Sequence, residues 1–245
     1  MEGVTRSDDG YFGRAGLEKR ETWVMGWGMK AVFFDLDGTL IDSLADLGQA
    51  VNRMLADLGF PEQSVERCRE FIGEGARRLV ERALPVAFQG DEVLVERALG
   101  LYQMHYEAGW RDQTRVYPGM DGLVERLAEG GVKLGVISNK PHRFTQLCVA
   151  HFFPQAKFEL VLGQREGVAR KPDPSAAFEA AARFGVGIEA CCYVGDSGVD
   201  MAFAKAAGMR AIGVAWGFRD REELWKSGAS EVVEDAGALE KVLLV

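Results

Sequence analysis

Residues 30–40 read Lys-Ala-Val-Phe-Phe-Asp-Leu-Asp-Gly-Thr-Leu, and the fold turns on this stretch. Lys30–Asp35 is a short, nearly continuous apolar run ending in a carboxylate. Such a run predicts a strand buried on both faces, as in a parallel sheet covered by helices. Asp35 and Asp37 follow two residues apart. Strand alternation would point both side chains the same way, were the strand to continue. Like charges held so close repel and shift each other's pKa. A divalent cation is the usual remedy, and magnesium takes oxygen ligands of this kind.

Downstream, Ser43–Leu58 carries Leu44, Leu47, Val51, Leu55 and Leu58 at helical spacing. Ser43 is placed as its N-cap, with Asp46 in the capping-box position. Asp42 and Asp46 are read as turn and cap chemistry. From Pro61 to about Val116 only helical patterns occur, over Ser64–Ile72, Arg77–Leu84 and Asp91–Trp110. This stretch, residues 44–116, is expected to be a helical insertion forming a second domain. Alternation resumes at Tyr117-Pro118-Gly119. Strands are expected at Val132–Ser138, Phe158–Leu162, Cys191–Gly195, Arg210–Val214 and near Glu231–Val233. Helices are expected between and after them, at Gly122–Glu129, Pro141–Phe152, Ser175–Phe184, Val199–Ala207, Arg221–Ser227 and Gly237–Leu244.

Strands separated by helices argue for βαβ units and a parallel sheet. Residues 30–43 and 117–245 would together form this α/β core. Ligands bind beyond the carboxyl ends of such strands. Three polar groupings fall there: Asp35 with Asp37, Ser138 with Asn139, and Asp196. Asp200 adds a further carboxylate. Lys171, in Arg170-Lys171-Pro172-Asp173-Pro174, is a cation in a stiffened loop, suited to holding an anion near Asp35. Lys140 and Arg170 are expected to be solvated charges.

Composition narrows the classes further. The chain has 245 residues, 47% hydrophobic and 27% charged, which supports a folded core rather than disorder. A net charge of −8 disfavours nucleic acid and anionic membranes as partners. No apolar run is long enough for a membrane helix. Cys68, Cys148, Cys191 and Cys192 form no CxxC pair and suit a reducing, cytoplasmic compartment. Residues 1–29 are Gly-rich and aperiodic and are expected to be a flexible extension, with Met25 and Met29 as alternative starts. Gly73-Glu74-Gly75 has neither a preceding strand nor the final glycine of a dinucleotide fingerprint. His105, His142 and His151 are scattered, and neither a Walker loop nor a G-x-S-x-G elbow is present.

The run Asp35-Leu36-Asp37-Gly38-Thr39-Leu40-Ile41-Asp42-Ser43 resembles the first motif of the haloacid dehalogenase (HAD) superfamily. Ser138, Lys171 and Gly195-Asp196-Ser197-Gly198-Val199-Asp200 fall in order as its other three motifs, and the resemblance spans about residues 30–235. It implies a doubly wound, Rossmann-like parallel-sheet core with an inserted α-helical cap. It also implies a mechanism. Asp35 would attack phosphorus and form an aspartyl-phosphate. Asp37 would protonate the leaving oxygen and then activate water. Thr39 would position the loop, and Ser138, Asn139 and Lys171 would hold phosphoryl oxygens. Magnesium would be bound by Asp35, the Asp37 carbonyl and Asp196, with Asp200 direct or one layer behind.

Departures within the superfamily narrow the reaction. Dehalogenases lack the second aspartate, which is present here as Asp37. Phosphonoacetaldehyde hydrolases use a cap lysine, and residues 44–116 contain none. Hexose-phosphate mutases carry a histidine where this chain has Leu47. The segment Phe71–Leu84, with Tyr117-Pro118-Gly119 and Asn139-Lys140-Pro141, resembles phosphoglycolate phosphatases. That likeness implies a small phosphorylated metabolite as substrate, phosphoglycolate first. Gly73 and Gly75 would bring cap N–H groups over it, and Arg77 or Arg78 would meet its carboxylate, unless they line a solvated helix face. The alternatives are a phosphatase for pyrophosphate, a nucleotide or a sugar phosphate, a phosphomutase, and a non-catalytic binding protein of the same fold. The expected assembly is a monomer or homodimer, with a cap joined near Ser43 and Val116 and placed to open and close.

Overall fold

A computed structural model describes residues 28–244. The expectation of a flexible extension over residues 1–29 falls, up to residue 27, outside the described residues. Six strands form one parallel sheet: β1 (Ala31–Phe34), β4 (Lys133–Pro141), β5 (Phe158–Gln164), β6 (Cys191–Gly195), β7 (Arg210–Val214) and β8 (Glu231–Val233). Their spatial order is β5-β4-β1-β6-β7-β8. The chain runs outward from β1 through β4 to β5, then returns to the other side of β1 for β6. This reversal opens a crevice above the carboxyl ends of β1, β4 and β6.

The apolar run of β1 is explained by its two neighbourhoods. Val32 and Phe34 face one layer, made by α5 (Met120–Glu129), α6 (His142–Phe152) and α10 (Ala236–Leu244). Ala31 and Phe33 face the opposite layer, with α7 (Ser175–Phe184), α8 (Gly198–Ala207) and α9 (Arg221–Lys226). All four side chains are fully buried. Every strand and helix expected after Tyr117 is present, with ends within three residues of the expected ones.

Helices α1 (Leu44–Asp57), α2 (Val65–Phe71), α3 (Ala76–Ala83) and α4 (Glu92–Gly109) pack on one another around Leu47, Val51, Met54, Leu55, Val80 and Ala98. Phe144 of α6 and Phe218 join this cluster from the sheet side. The chain leaves the sheet along β2 (Ile41–Asp42) and returns along β3 (Arg115–Val116), and the two pair antiparallel as a short neck.

Ser43 stands at the N-cap position of α1 as expected, but the neck corrects the capping-box reading of Ser43 and Asp46. Ser43 makes no side-chain capping bond. Instead its hydroxyl donates to Asp37 Oδ1 at 2.6 Å. Asp46 is buried and reaches across the neck. It accepts from Gln113 N at 3.0 Å, Thr114 N at 2.8 Å and Thr114 Oγ1 at 2.6 Å. No helix among the described residues is long and apolar enough to cross a membrane. All four cysteines are free and buried.

Candidate active site

Three strand ends deliver the expected polar residues to one place. Asp35 leaves β1 with its N–H bonded to Val194 O at 2.9 Å, which ties it to β6. Asp196 follows β6 directly. Ser197 caps α8 and exchanges hydrogen bonds with Asp200 in a complete capping box, and that local motif holds Asp200 beneath Asp35. One oxygen each from Asp35, Asp196 and Asp200 lies within 4.8 Å of the other two, and all three residues are buried.

Close backbone approach makes this possible at Gly38. Its φ is +84°, and a Cβ there would sit 2.2 Å from Asp196 Oδ2. Only glycine accepts both the conformation and the contact. Asp196 accepts from Phe218 N at 2.7 Å through Oδ2, and Thr39 Oγ1 lies 3.4 Å from Oδ1. Trp216 Nε1 donates to Thr39 O at 3.1 Å, so the loop after β7 braces the loop after β1.

The charges are set by burial. Desolvation pushes the Asp35 carboxyl up to about 6, against the Lys171 ammonium and with help from Asp200. Asp196 is raised well above the carboxylate range, first by burial and then by Asp200 and Asp35. Burial opposes the Lys171 ammonium, but Asp200 and Asp35 outweigh it and hold it above its ordinary value. Lys171 Nζ reaches Asp200 Oδ1 at 2.7 Å, Tyr193 Oη at 2.7 Å and Asp35 Oδ1 at 3.0 Å. The last contact lacks hydrogen-bond geometry, so Asp35 Oδ1 is buried without a hydrogen bond.

That orphaned oxygen is one the site must satisfy with something else. Both Asp200 oxygens are engaged, one by Lys171 and the other by Ser197 N and Oγ. Asp35 Oδ1 and Asp196 Oδ1 retain the acceptor capacity. Buried, mutually repelling carboxylate oxygens of this kind fit a hard divalent cation such as magnesium.

Ser138 and Asn139 stand at the end of β4 as expected, but their side chains differ in use. The Ser138 hydroxyl lines the pocket with Asp35 and accepts from Lys140 N at 3.3 Å. Asn139 lines the pocket, but its side-chain amide is engaged within the protein. Its Nδ2 donates to Gly73 O at 3.0 Å and Lys171 O at 3.1 Å, and its Oδ1 accepts from Lys171 N at 2.9 Å. Asn139 therefore fixes the Lys171 loop to β4 and both to the helical layer.

Lys140 overturns the expectation of a solvated charge. It is buried, with Nζ 2.9 Å from both Asp37 oxygens. Burial works against its ammonium, yet Asp37 holds it above its ordinary value. Arg170 is exposed, as expected.

A pocket lies between the strand ends and the helices. Asp35, Asp37, Ser138 and Lys140 line its floor, and Leu47, Ile72, Leu79, Tyr102, Tyr106 and Phe144 form its apolar wall. Gly73 and Gly75 line it as expected. Arg77 and Arg78 are not among its lining residues. Arg77 pairs with Glu92 and Glu96, and Arg78 with Glu81, on the outer face of α3. Arg219 reaches the pocket from the β7 loop. Its guanidinium donates to Arg69 O at 2.8 Å and Ile72 O at 2.6 Å in the helical layer.

Sequence reasoning missed Tyr193, Lys140, Ser43 and Arg219. Tyr193 carried a signal, because a tyrosine in a fully buried strand needs a partner for its hydroxyl. It donates to Ile137 O at 2.6 Å and accepts from Lys171. No local pattern marks the other three: the partners of Lys140 and Arg219 are distant in the chain, and Ser43 stands where a capping role reads equally well.

Comparison with known proteins agrees with this geometry. The family model described as haloacid dehalogenase-like hydrolase matches residues 32–214. A phosphoglycolate phosphatase of Pseudomonas putida is 37% identical over 218 residues, covering 86% of this chain and 78% of that protein. Phosphoglycolate phosphatase 1 of Pseudomonas aeruginosa is 36% identical over 209 residues, covering 84% and 76%. The crystal structure of a predicted phosphoglycolate phosphatase from Haemophilus somnus 129PT superposes with a TM-score of 0.82 at 28% identity, covering 88% of this chain and 98% of that one.

Proposed function

Because the chain belongs to the haloacid dehalogenase-like hydrolase family and is a phosphatase of that family, we propose that it hydrolyses a small phosphomonoester, phosphoglycolate first, through a phosphorylated Asp35. The observation that carries this reading is Asp35 itself. It is a buried carboxylate on the pocket floor, with Oδ1 unbonded and Lys171 alongside. Asp35 attacks phosphorus, the bond from phosphorus to the leaving oxygen breaks, and Asp37 gives that oxygen a proton. In the second half Asp37 takes a proton from water. The water oxygen bonds to phosphorus, and the bond to Asp35 breaks, releasing phosphate.

Asp35 and Asp196, with the Asp37 carbonyl, are the groups we assign to magnesium. When bound, the ion supplies the positive charge that phosphoryl transfer needs near its oxygens. Asp200 then acts from behind by orienting Lys171 and Ser197. Thr39 steadies Asp196. Ser138 and Lys171 stand beside Asp35, placed for phosphoryl oxygens. We read residues 44–116 as a cap over this floor. Leu47, at the mutase histidine position, lines the pocket and has no proton to relay, which favours hydrolysis over a phosphomutase. The four free, buried cysteines support a cytoplasmic setting.

The test is phosphate release from phosphoglycolate, pyrophosphate, a nucleotide and a sugar phosphate, with magnesium and with chelator. Magnesium-dependent release favouring phosphoglycolate is expected, with acid-stable labelling of the wild-type chain and none in D35N. Turnover by D35N within tenfold of wild type overturns the nucleophile assignment. A preference for another phosphate overturns the substrate.

A further inference from the structure

Arg77 and Arg78 do not line the pocket and are paired with glutamates, so a carboxylate-bearing substrate must find its cation elsewhere. Burying a carboxylate against an apolar wall without a paired charge is prohibitively costly. Two cationic side chains line the pocket, Lys140 and Arg219. The Arg219 fork is occupied. Nη1 and Nη2 donate to Arg69 O, Glu70 O and Ile72 O. Lys171 is not among the pocket's lining residues; its ammonium is held by Asp200 and Tyr193 and stands beside Asp35, where the phosphoryl group is read to bind. Lys140 is different. Asp37 is the single hydrogen-bonding partner of its ammonium among the described residues, and that ammonium stands 4.7 Å over the Tyr106 ring at the pocket wall. Asp37 does not depend on it alone, because Ser43 Oγ donates to Asp37 Oδ1 from the other side.

We propose that Lys140 is the specificity-determining residue that reads the substrate carboxylate, sharing its ammonium between Asp37 and that group. This rests on the reading of phosphoglycolate as substrate. One ammonium then binds both ends of the reacting unit: the carboxylate of the leaving alcohol, and the acid that protonates the leaving oxygen. A phosphate ester without the carboxylate meets the same floor but leaves part of the Lys140 charge unused.

The experiment compares kcat/KM for phosphoglycolate with that for 2-hydroxyethyl phosphate, which carries CH2OH in place of the carboxylate. Wild type, K140M, K140Q and R170M are measured, each ratio within one preparation so that the folded fraction cancels. Wild type is expected to favour phosphoglycolate by on the order of 10- to 100-fold, the range for a charged hydrogen bond. K140M and K140Q are expected to bring the ratio to within about threefold of unity, with KM for phosphoglycolate rising. R170M, which removes the guanidinium packed against Gly75 at the rim, is expected to keep the wild-type ratio. Binding of the two compounds to D35N and to D35N/K140M reads the same ratio without turnover. A wild-type ratio retained in K140M and K140Q, even with both activities lowered, overturns the proposal, as does collapse of the ratio in R170M. Wild-type indifference to the carboxylate overturns both this proposal and the substrate reading.

Discussion

Replacing Asp46 with alanine should loosen the neck without touching any residue on the pocket floor. Asp46 is 2% exposed, and Thr114, which it holds, is 1% exposed. The substitution strands the Thr114 N–H, since no water reaches it. It also removes one of the two acceptors of the Thr114 hydroxyl, which keeps Trp110 O at 3.1 Å. The Gln113 N–H is less costly, because Gln113 is exposed and water can replace the carboxylate. A buried donor losing a charged acceptor costs about 1–3 kcal/mol, and the weakened hydroxyl bond adds up to about 1 kcal/mol. The expected loss is therefore about 1–4 kcal/mol in urea unfolding, with an unchanged slope against denaturant. D46N keeps one oxygen for Thr114 N but turns an amide N–H2 toward a donor, so about half the loss should remain. At a temperature where D46A is still folded, its kcat should stay within about threefold of wild type. A D46A loss below about 0.5 kcal/mol would refute the clamp. A normal stability with kcat reduced a hundredfold would place Asp46 in the chemistry instead.

The raised Asp35 carboxyl makes a signed prediction for the metal-free protein. Its folded value of about 6 exceeds the ordinary 3.8, so the native state keeps the proton longer than the unfolded chain. Between about pH 4 and 6 stability therefore falls as pH rises, by up to about 3 kcal/mol, and D35N should lack this component. Added magnesium should raise the melting temperature of wild type more at pH 7.5 than at pH 4.5; an equal gain at both would sink the reasoning. For Arg219→Met, the loss of donors to the end of α2 should raise KM about tenfold and speed hydrogen exchange over residues 65–75. Its unfolding free energy should move by only about 1 kcal/mol, since carbonyls at that edge can be hydrated. Unchanged KM and exchange would show that the contact does not hold the helical layer over the pocket.

Much of the fold was legible because a parallel sheet covered on both faces writes itself into sequence locally. Ala31–Phe34, Cys191–Gly195 and Arg210–Val214 are short apolar runs bounded by polar strand ends. Helices that bury one side show helical spacing, as α1 does at Leu44, Leu47, Val51 and Leu55. The β2–β3 neck had no such signature. Two residues on each strand, 73 positions apart at the Asp42–Arg115 pair, are too few for any period. The misreading of Asp46 has the same origin. At the first turn of a helix, an aspartate that caps and one that bonds a distant segment look alike in sequence.

The site divides along the same line. Asp35, Asp37, Ser138, Lys171 and Asp196 were placed because each occupies a strand end or the stiff loop beside one. The side-chain partnerships were not, and Lys140 shows why. A lysine in a polar tripeptide after a strand is read as solvated, since long cations usually are. Its partner Asp37 lies 103 residues away. Yet charge counting points to such a partnership from the amino-acid sequence alone. Four aspartates expected at one sheet edge against Lys171 alone leave an excess that a divalent cation only partly offsets. Two anions are removed by such an ion and one by Lys171, so one remains, and phosphate adds more. A floor of that kind must recruit another cation from the strand ends that build it. Between residues 133 and 141, the strand end nearest Asp37, Lys140 is the cation at the C-terminal side. The density of carboxylates, not the local surroundings of the lysine, decides that it is buried.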